Sequence, residues 1–366
     1  MDTATDCLRP GDERPAARAA LCDWLEIQRR YVFAPQRARH LLEQTADPRR
    51  LLSGGRSRGG VPATQRSVEQ LARVGAVAVP FGSRAYPERL AELVDAPPLL
   101  LVRGRPELLC APAVAIVGSR AATAYGRTTA RRFALALARA GFVVVSGMAT
   151  GVDGVAHAAA LEAGGSTLAV LACGPDRVYP ASHRNLSRRV VETGALVTEF
   201  PVGTPPRPAH FPLRNRIISA LARAVLVVEA RERSGSLVTA RLAADQGVDV
   251  WAVPGPVDSP ASAGTNRLLR DGAYVALDPG EMLEALGRPA TAVAVPGSGP
   301  PDPVVSGLAG RVLASLRDTP QTPDALAHAL GLAPAGLAPV LVELALAGHV
   351  AEERDGLLRC VSPLPE

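Results

Sequence analysis

The stretch AVAIVGSR, residues 113–120, decides the fold. Its first five residues are an unbroken apolar run, which is typical of a strand buried on both faces of a parallel sheet. A glycine, a serine and an arginine follow at once, where such a strand would pass into a loop. The pattern predicts a buried central strand with polar, arginine-bearing chemistry at its carboxyl end.

Further apolar runs follow this strand and alternate with segments of helical spacing. The alternation predicts a doubly wound, mostly parallel sheet and therefore an α/β fold. Two short strands, AVAVPF and PPLLLVRG, come before it. The later strands are FVVVSG, TLAVLACG, ALVTEF, AVLVVEA, VDVWAVPG and AYVAL.

The pattern of the chain changes three times and predicts three domains and a linker. Residues 1–75 read as short helices, and residues 76–288 contain the sheet. Residues 289–303 are rich in Pro, Gly and Ala without periodicity, which indicates a linker. Residues 304–366 read as three helices and a small hairpin, the order of a winged helix.

Composition indicates a globular cytoplasmic protein. The 366 residues are 47% hydrophobic and 20% charged, which is ordinary for a folded chain. The five cysteines are scattered and never spaced as CxxC, which argues against disulfides or a zinc site and for a reducing compartment. No apolar run reaches the roughly 18 residues of a membrane span, and no signal-peptide core is present, so we expect no membrane association.

The charge is carried in an unusual way. The net charge is +5, and all 40 basic residues are arginine. Codon bias in a GC-rich genome explains the choice of arginine, yet its planar fork also suits bidentate contact with phosphate. Residues 304–366 contain 4 arginines against 7 acidic residues. We therefore expect the winged helix to contact protein, or nothing, rather than DNA.

Loops at the carboxyl ends of the strands are the expected ligand site, because an open parallel sheet binds ligands there. These loops collect glycines, hydroxyls and arginines but few carboxylates. Glycine lets the backbone approach a ligand, and free amides at helix N-termini favour anions. The dinucleotide fingerprint G-x-G-x-x-G is absent, and a Walker motif is impossible without lysine. A nucleic-acid backbone, with several phosphates on separate loops, fits better.

Candidate catalytic groups are few, and each has a structural alternative. Asp153 and His157 could be an acid/base pair, but the pattern favours Asp153 as a helix N-cap with His157 packed behind it. Glu199 and Glu229 end their strands and are more easily explained as structural. Ser236 and Thr239 either cap a helix or help to bind an anion. The scarcity of aromatic residues, 4% of the chain, argues against binding that depends mainly on base stacking.

Several motifs in sequence resemble the DNA-processing protein A family, also called DprA or Smf. They include AIVGSR, VVSGMATGVDGVAH, TEFPVGTPP, HFPLRNRIIS, VVEARERSGSLVTARLAADQG, VWAVPG and GTNRLLRDGA. The resemblance implies an extended Rossmann-like domain that binds single-stranded DNA and forms a homodimer. It implies delivery of that DNA to RecA recombinase in natural transformation, with displacement of single-strand-binding protein. It also implies a DNA chaperone rather than an enzyme, with no cofactor, and a small N-terminal helical module.

The rim loops and the resemblance together nominate the site residues. The resemblance assigns Gly118, Ser119 and Arg120 to a phosphate pocket and Arg214 to Arg216 to a second basic rim. The full set of expected nucleic-acid-binding residues is Gly118, Ser119, Arg120, Gly147, Gly151, Tyr179, Arg184, Phe211, Arg214, Asn215, Arg216, Ser234, Gly235, Ser236 and Asn266.

Arg214 and Arg216 are expected to act differently, because residues two apart do not share a helix face. We expect Arg214 to touch phosphate and Arg216 to brace the loop through a carboxylate such as Glu199 or Glu229. The alternative function is a nucleotide-processing enzyme like the phosphoribohydrolases of similar fold. Their P-G-G-x-G-T-x-x-E signature ends in a catalytic glutamate, whereas the nearest equivalent here ends in Ala240.

Overall fold

A computed structural model describes residues 7–44, 51–52, 60–287, 308–317, 321–332, 334–346, 350–352 and 357–360. The chain forms two compact units, Met1–Gly297 and Ser298–Glu366. The expected linker at 289–303 lies outside the described residues. Within the described residues, no helix combines the length and apolar character needed to cross a membrane.

The first unit is built on a sheet of nine strands. The strands are β1 (Ala76–Pro80), β2 (Leu99–Gly104), β3 (Ala113–Val117), β4 (Val143–Ser146), β5 (Thr167–Val170), β6 (Ala195–Thr198), β7 (Ala224–Val227), β8 (Asp249–Ala252) and β9 (Tyr274–Val275). Each strand expected from an apolar run is present. The fold class, α/β with a mostly parallel sheet, is confirmed.

Helices precede the first strand, lie in most of the connections between strands and follow the last strand. They are α1 (Pro15–Tyr31), α2 (Pro35–Gln44), α3 (Gly60–Arg73), α4 (Glu88–Ala91), α5 (Ala124–Arg139), α6 (Val152–Glu162), α7 (Arg184–Thr193), α8 (His210–Ala220), α9 (Gly235–Asp245), α10 (Ala263–Arg270) and α11 (Pro279–Leu286). Short side chains begin several of them: Thr123 caps α5 by accepting a hydrogen bond from the amide of Gly126, and Asp278 caps α11 in the same way. Such caps satisfy amides that the first turn of a helix leaves free.

Strand order places β3 at the centre of the sheet. The order is β1-β2-β6-β5-β4-β3-β7-β8-β9, and only the β1–β2 and β2–β6 pairs are antiparallel. Val114 is in register with Val144 of β4 and with Ala224 of β7. The chain thus builds outward from β3 on one side, through β4, β5 and β6, and then returns to pair β7 on the other side. The two neighbours of β3 therefore define the switch point of the sheet.

Two apolar layers cover the two faces of the sheet. One contains Val145, Val170 and Ile217 of α8, together with residues of α9. The other contains Ile116, Phe133 of α5 and residues of α6 and α11. Burial of a large apolar side chain stabilises the fold by about 1.5–3 kcal/mol, so these layers supply the main driving force for forming the sheet.

The N-terminal helices pack against the antiparallel end of the same sheet. Leu21 and Ile27 of α1 and Leu71 of α3 share a buried cluster with Leu99 and Leu101 of β2. Gln28 of α1 donates a hydrogen bond of 2.8 Å to the carbonyl oxygen of Glu199, just beyond β6. These contacts connect the helices to the part of the sheet from which the α8 loop departs.

The second unit has the expected winged-helix order. Helices α12 (Leu308–Arg317), α13 (Pro323–Leu330) and α14 (Pro334–Leu346) precede strands β10 (Val350–Glu352) and β11 (Leu358–Cys360). The two strands pair antiparallel. Val312, Leu316 and Leu326 are fully or almost fully buried in the apolar cluster of this unit.

Candidate nucleic-acid interface

A cavity of about 460 Å³ opens at the carboxyl ends of β3 and β7. This is the switch point of the sheet, where the loops on the two sides diverge and leave a crevice. The loop after β3, the loop after β7 and the start of α8 line it. We call it the rim cavity; its lining residues include Gly118, Ser119, Arg120, Phe211, Arg214, Asn215, Arg231, Arg233, Ser234, Gly235 and Ser236.

The loop after β3 and the start of α6 pack so closely that each requires a glycine. A Cβ on Gly118 would lie 2.7 Å from a methyl carbon of Val152. Gly151, at the start of α6, has φ of 77°, and a Cβ there would collide with the carbonyl oxygen of Ser119. Close packing of these glycines brings the loop against the N-terminus of α6 and leaves Ser119 and Arg120 facing the cavity.

Arg120 is exposed and lies over an aromatic ring. The carbon at the centre of its guanidinium is 4.7 Å from the centroid of Phe211. A cation in this position is attracted by the negative face of the ring. Tyr179 packs edge-on against the same ring at 5.7 Å and is itself 47% exposed. Phe211 thus holds the Arg120 guanidinium in place, and Tyr179 adds an open aromatic edge.

The N-terminus of α9 forms the opposite wall. Ser234 caps the helix by accepting a hydrogen bond from the Ser236 amide, and the two hydroxyl oxygens are 2.7 Å apart. The cap of α9 is therefore Ser234 rather than Ser236 or Thr239, while Ser234, Gly235, Ser236 and Thr239 all line the rim cavity. The helix dipole makes this end favourable for an anion.

Arg214 lies beneath the cavity and is only 3% exposed. One guanidinium nitrogen donates to the carbonyl of Gly147 at 2.8 Å and to that of Val170. Its Nε is 3.4 Å from the side-chain oxygen of Asn215, whose amide nitrogen is 3.3 Å from the carbonyl oxygen of Gly235. Burial lowers the pKa of Arg214 to about 10, against the opposing charge of Asp153, so it stays charged at neutral pH. Arg214 both lines the cavity and joins α8 to the ends of β4 and β5.

Arg216 points to another partner, as expected. It forms a bidentate pair with Glu199, both N–O distances being 2.7 Å, and it lies 3.1 Å from Asp95. Burial alone would lower its pKa, but the charge of Glu199 raises that pKa above its ordinary value. Glu229, the other carboxylate considered, instead accepts hydrogen bonds from the amide and hydroxyl of Thr123. Both glutamates therefore have structural partners.

Asp153 and His157 hold the loop after β4. Asp153 is not the N-cap, which is Gly151; instead its carboxylate accepts the amides of Gly147 and Ala149 at 3.1 and 3.2 Å. Burial raises the pKa of Asp153, against the nearby charge of Arg214. The buried His157 lies 3.3 Å from the Met148 amide and 2.7 Å from the Thr167 hydroxyl. Both side chains are hydrogen-bonded within the fold, to backbone amides and to the Thr167 hydroxyl. Their positions therefore do not support the acid/base interpretation.

The tautomer of His157 follows from these partners. Thr167 donates its own proton to the carbonyl of Val144 at 2.6 Å, so it accepts from Nδ1 of His157. Nε2 then accepts from the Met148 amide and must be unprotonated. Burial lowers the pKa of His157 to about 3, which keeps the ring neutral at physiological pH.

Of the remaining expected binding residues, some line a cavity and others do not. Tyr179 lines a smaller cavity of about 330 Å³ with Arg120, Phe211 and Arg207, and Gly151 lines a third. Asn266 is engaged with the backbone of Gly255 through both side-chain atoms. Four of the expected binding residues line none of these three cavities: Gly147, Arg184, Arg216 and Asn266.

Sequence reasoning missed four arginines at this edge. Arg231 and Arg233 lie in the loop after β7 and line the rim cavity. Arg207 and Arg127 line its two neighbours. All four follow or flank the loops identified from the strand ends, so position alone could have nominated them. Among the described residues, no group of three or more His, Cys, Asp or Glu side chains could hold a metal ion.

A mostly parallel open sheet with arginines and glycine-rich turns around its switch point defines a Rossmann-like protein with exposed arginines at the carboxyl ends of its strands. The chain belongs to the DNA recombination-mediator protein A family, whose model matches residues 78–287. A model of the DprA winged helix domain matches residues 296–356. The family resemblance noted from the motifs is confirmed.

Relatives and solved structures agree with this assignment. Protein Smf of Escherichia coli is 46% identical over 57% of this chain and 56% of its own length. DNA processing protein DprA of Bacillus subtilis is 37% identical over 62% of this chain and 76% of its own length. The chain thus aligns with little more than half of the Escherichia coli protein.

Two solved structures share the fold. That of DNA processing protein A from Streptococcus pneumoniae has a TM-score of 0.56 and 35% identity, and covers 63% of this chain and 83% of that protein. That of the Helicobacter pylori protein, reported for its single-stranded DNA binding mode, has a TM-score of 0.51 and 31% identity over 55% and 92% of the two chains.

The neutral state of His157 predicts a specific dependence of stability on pH. Its pKa is about 3 when folded and about 6.5 when unfolded. The unfolded chain therefore binds more protons between these values, and stability falls as pH falls below 6.5. Between pH 8 and pH 5 this group alone should cost about 2 kcal/mol of unfolding free energy.

The test is urea denaturation of the wild type and of His157→Gln at both pH values. The drop in unfolding free energy should be about 2 kcal/mol smaller in the variant. His40→Gln, at an exposed histidine, is the matched control and should keep the wild-type drop. An equal pH dependence in all three proteins would contradict a buried neutral His157.

Proposed function

We propose that this chain binds single-stranded DNA across the rim of its sheet and protects it. The observation that carries the proposal is the convergence of arginines from separate loops on one cavity. Arg120, Arg231 and Arg233 are exposed there, above the buried Arg214. Among the described lining residues the sole carboxylate is Asp153, whose oxygen is bonded to backbone amides.

The arrangement favours a phosphodiester backbone over a single nucleotide. Separate arginine-bearing loops can each hold one phosphate of a polymer, and arginine forks match phosphate geometry. Arg120 lies over the Phe211 ring, which leaves the exposed Tyr179 as an aromatic side chain able to stack one base beside the cavity, too little to dominate affinity. Phosphate contacts should therefore supply most of the binding energy.

Catalysis has less support than binding. The nucleotide-processing alternative needs a free carboxylate that lines the phosphate site, and among the described residues lining the rim cavity the carboxylate is Asp153. Glu199 is paired with Arg216, Glu229 supports the start of α5, and Asp153 supports a loop. A DNA-binding recombination mediator without enzymatic activity, needing no cofactor, is the proposal that agrees with these contacts.

The partners in the proposal come from the family. As a cytoplasmic homodimer, the protein would receive single-stranded DNA, displace single-strand-binding protein and load RecA recombinase in natural transformation. The winged helix, with 4 arginines against 7 acidic residues in 304–366, is proposed to contact protein rather than DNA, because like charge repels phosphate.

Arg120 should be the most informative single contact. Arg120→Ala removes an exposed guanidinium that no described carboxylate pairs, so the fold should remain intact. Loss of a charge-assisted phosphate contact should weaken single-strand binding about tenfold to a hundredfold. It should also reduce the log–log salt slope by about 0.7. Fluorescence anisotropy with an oligothymidylate measures both.

Arg139→Ala is the matched control for this experiment. Arg139 is exposed at the end of α5, where the chain returns to the amino end of β4, so the variant loses the same charge without changing the rim cavity. Its affinity should stay close to that of the wild type. Equal affinity of Arg120→Ala and Arg139→Ala would remove the rim cavity as the binding site.

RecA loading should require the same cavity. On DNA coated with single-strand-binding protein, wild-type protein should stimulate RecA ATPase activity, and Arg120→Ala should need a correspondingly higher protein concentration to do so, because it binds the strand more weakly. Arg139→Ala should stimulate as the wild type does. Absence of stimulation by a wild-type protein that binds DNA would refute the loading role and leave the binding role standing.

A further inference from the structure

A groove of about 340 Å³ lies on the other side of the Arg120 loop from the rim cavity. Arg120, Arg127, Gly151, Gly154 and His183 line it, and we call it the α5–α6 groove. Arg120 also lines the rim cavity, so a strand bound there can pass over this arginine without leaving basic surface. Among the described lining residues of the groove, none is acidic.

Arg127 is anchored so that its free donors face this groove. It lies in the first turn of α5 and is exposed, and one guanidinium nitrogen donates to the carbonyl of Ala122. An arginine has five N–H donors in a planar fork, so this single bond fixes the side chain and leaves most donors available. Unlike Arg131, four residues further on, which pairs with Glu162, Arg127 has no carboxylate partner among the described residues.

His183 closes the opposite side of the groove. Its Nδ1 is 3.0 Å from the carbonyl oxygen of Met148 and donates to it. A Cβ on Gly154 would lie 2.7 Å from Cε1 and 3.0 Å from Nε2 of this ring, so the ring packs directly on the α6 backbone. The floor is formed by small residues, which leaves the space between Arg127 and His183 open to a ligand.

We propose that the α5–α6 groove is a second phosphate subsite, in which Arg127 binds a further phosphodiester of the DNA strand held in the rim cavity. The inference rests on the proposed function. It is supported by the shared Arg120 wall, by the anchored and unpaired fork of Arg127, and by a lining without described carboxylates. A phosphodiester is the chemistry that such a lining selects, because each open fork donates to paired anionic oxygens.

The test compares Arg127→Ala, Arg127→Gln and the control Arg139→Ala, which lies on the same helix. Anisotropy titrations use an oligothymidylate long enough to span both cavities, at several salt concentrations. Arg127→Ala should bind about tenfold more weakly than the wild type, with a salt slope smaller by about 0.7. Arg139→Ala should match the wild type.

Arg127→Gln separates direct contact from support of the loop. Glutamine keeps an amide donor for the Ala122 carbonyl but has no charge. If Arg127 binds phosphate, both Arg127 variants lose affinity alike. If glutamine restores wild-type affinity, Arg127 acts only by holding the loop and the subsite is refuted.

The two proposals fail in different ways. If wild-type protein and Arg120→Ala bind single strands equally, the rim cavity itself is wrong. If Arg120→Ala is impaired but Arg127→Ala equals Arg139→Ala, the rim cavity stands and the second subsite is overturned.

Discussion

The buried guanidinium of Arg214 is the constraint on which the site depends. It is 3% exposed and donates to the carbonyls of Gly147 and Val170, at the ends of β4 and β5. A buried cation is costly unless its donors are satisfied, and these carbonyls together with Asp153 meet that need. The interaction fixes the start of α8 on the sheet, and so fixes Phe211 beneath Arg120. The buried Arg214 thus positions the exposed Arg120.

Two arginines on different faces of α8 have different structural roles. Arg216, two positions beyond Arg214, is bound by Glu199 and Asp95 and joins α8 to the end of β6. Breaking one partner of a buried ion pair typically costs about 3–5 kcal/mol, so Arg216 is a structural residue. Three other arginines remain exposed to a ligand and lie in the loops after β3 and β7 rather than in α8: Arg120, Arg231 and Arg233. The buried arginines thus stabilise the loops around the rim cavity, and the exposed arginines give the cavity its positive charge.

Much of this could be predicted from the sequence, because apolar runs such as AVAIV and AVLVV fix both the strands and the edge where polar loops meet. The hydrogen-bond partners of individual polar side chains could not be predicted in the same way. Arg214 was expected to contact phosphate, and nothing in the sequence reveals that backbone carbonyls surround its guanidinium. Asp153 was expected to cap α6, but Gly151, with its positive φ, is the cap, and the Asp153 carboxylate instead accepts amides of the loop between β4 and α6. Asn266 follows a strand end, yet its partner is Gly255, a contact that only the folded loop brings within reach.

The central claim is that the switch point of the sheet holds the phosphates of single-stranded DNA. A crystal structure of the protein with a short oligothymidylate tests it most directly. We expect a phosphate between the Gly118–Arg120 loop and the Ser234–Ser236 turn, within hydrogen-bonding distance of Arg120. An ordered oligonucleotide elsewhere on the protein, with the rim cavity empty, would contradict it.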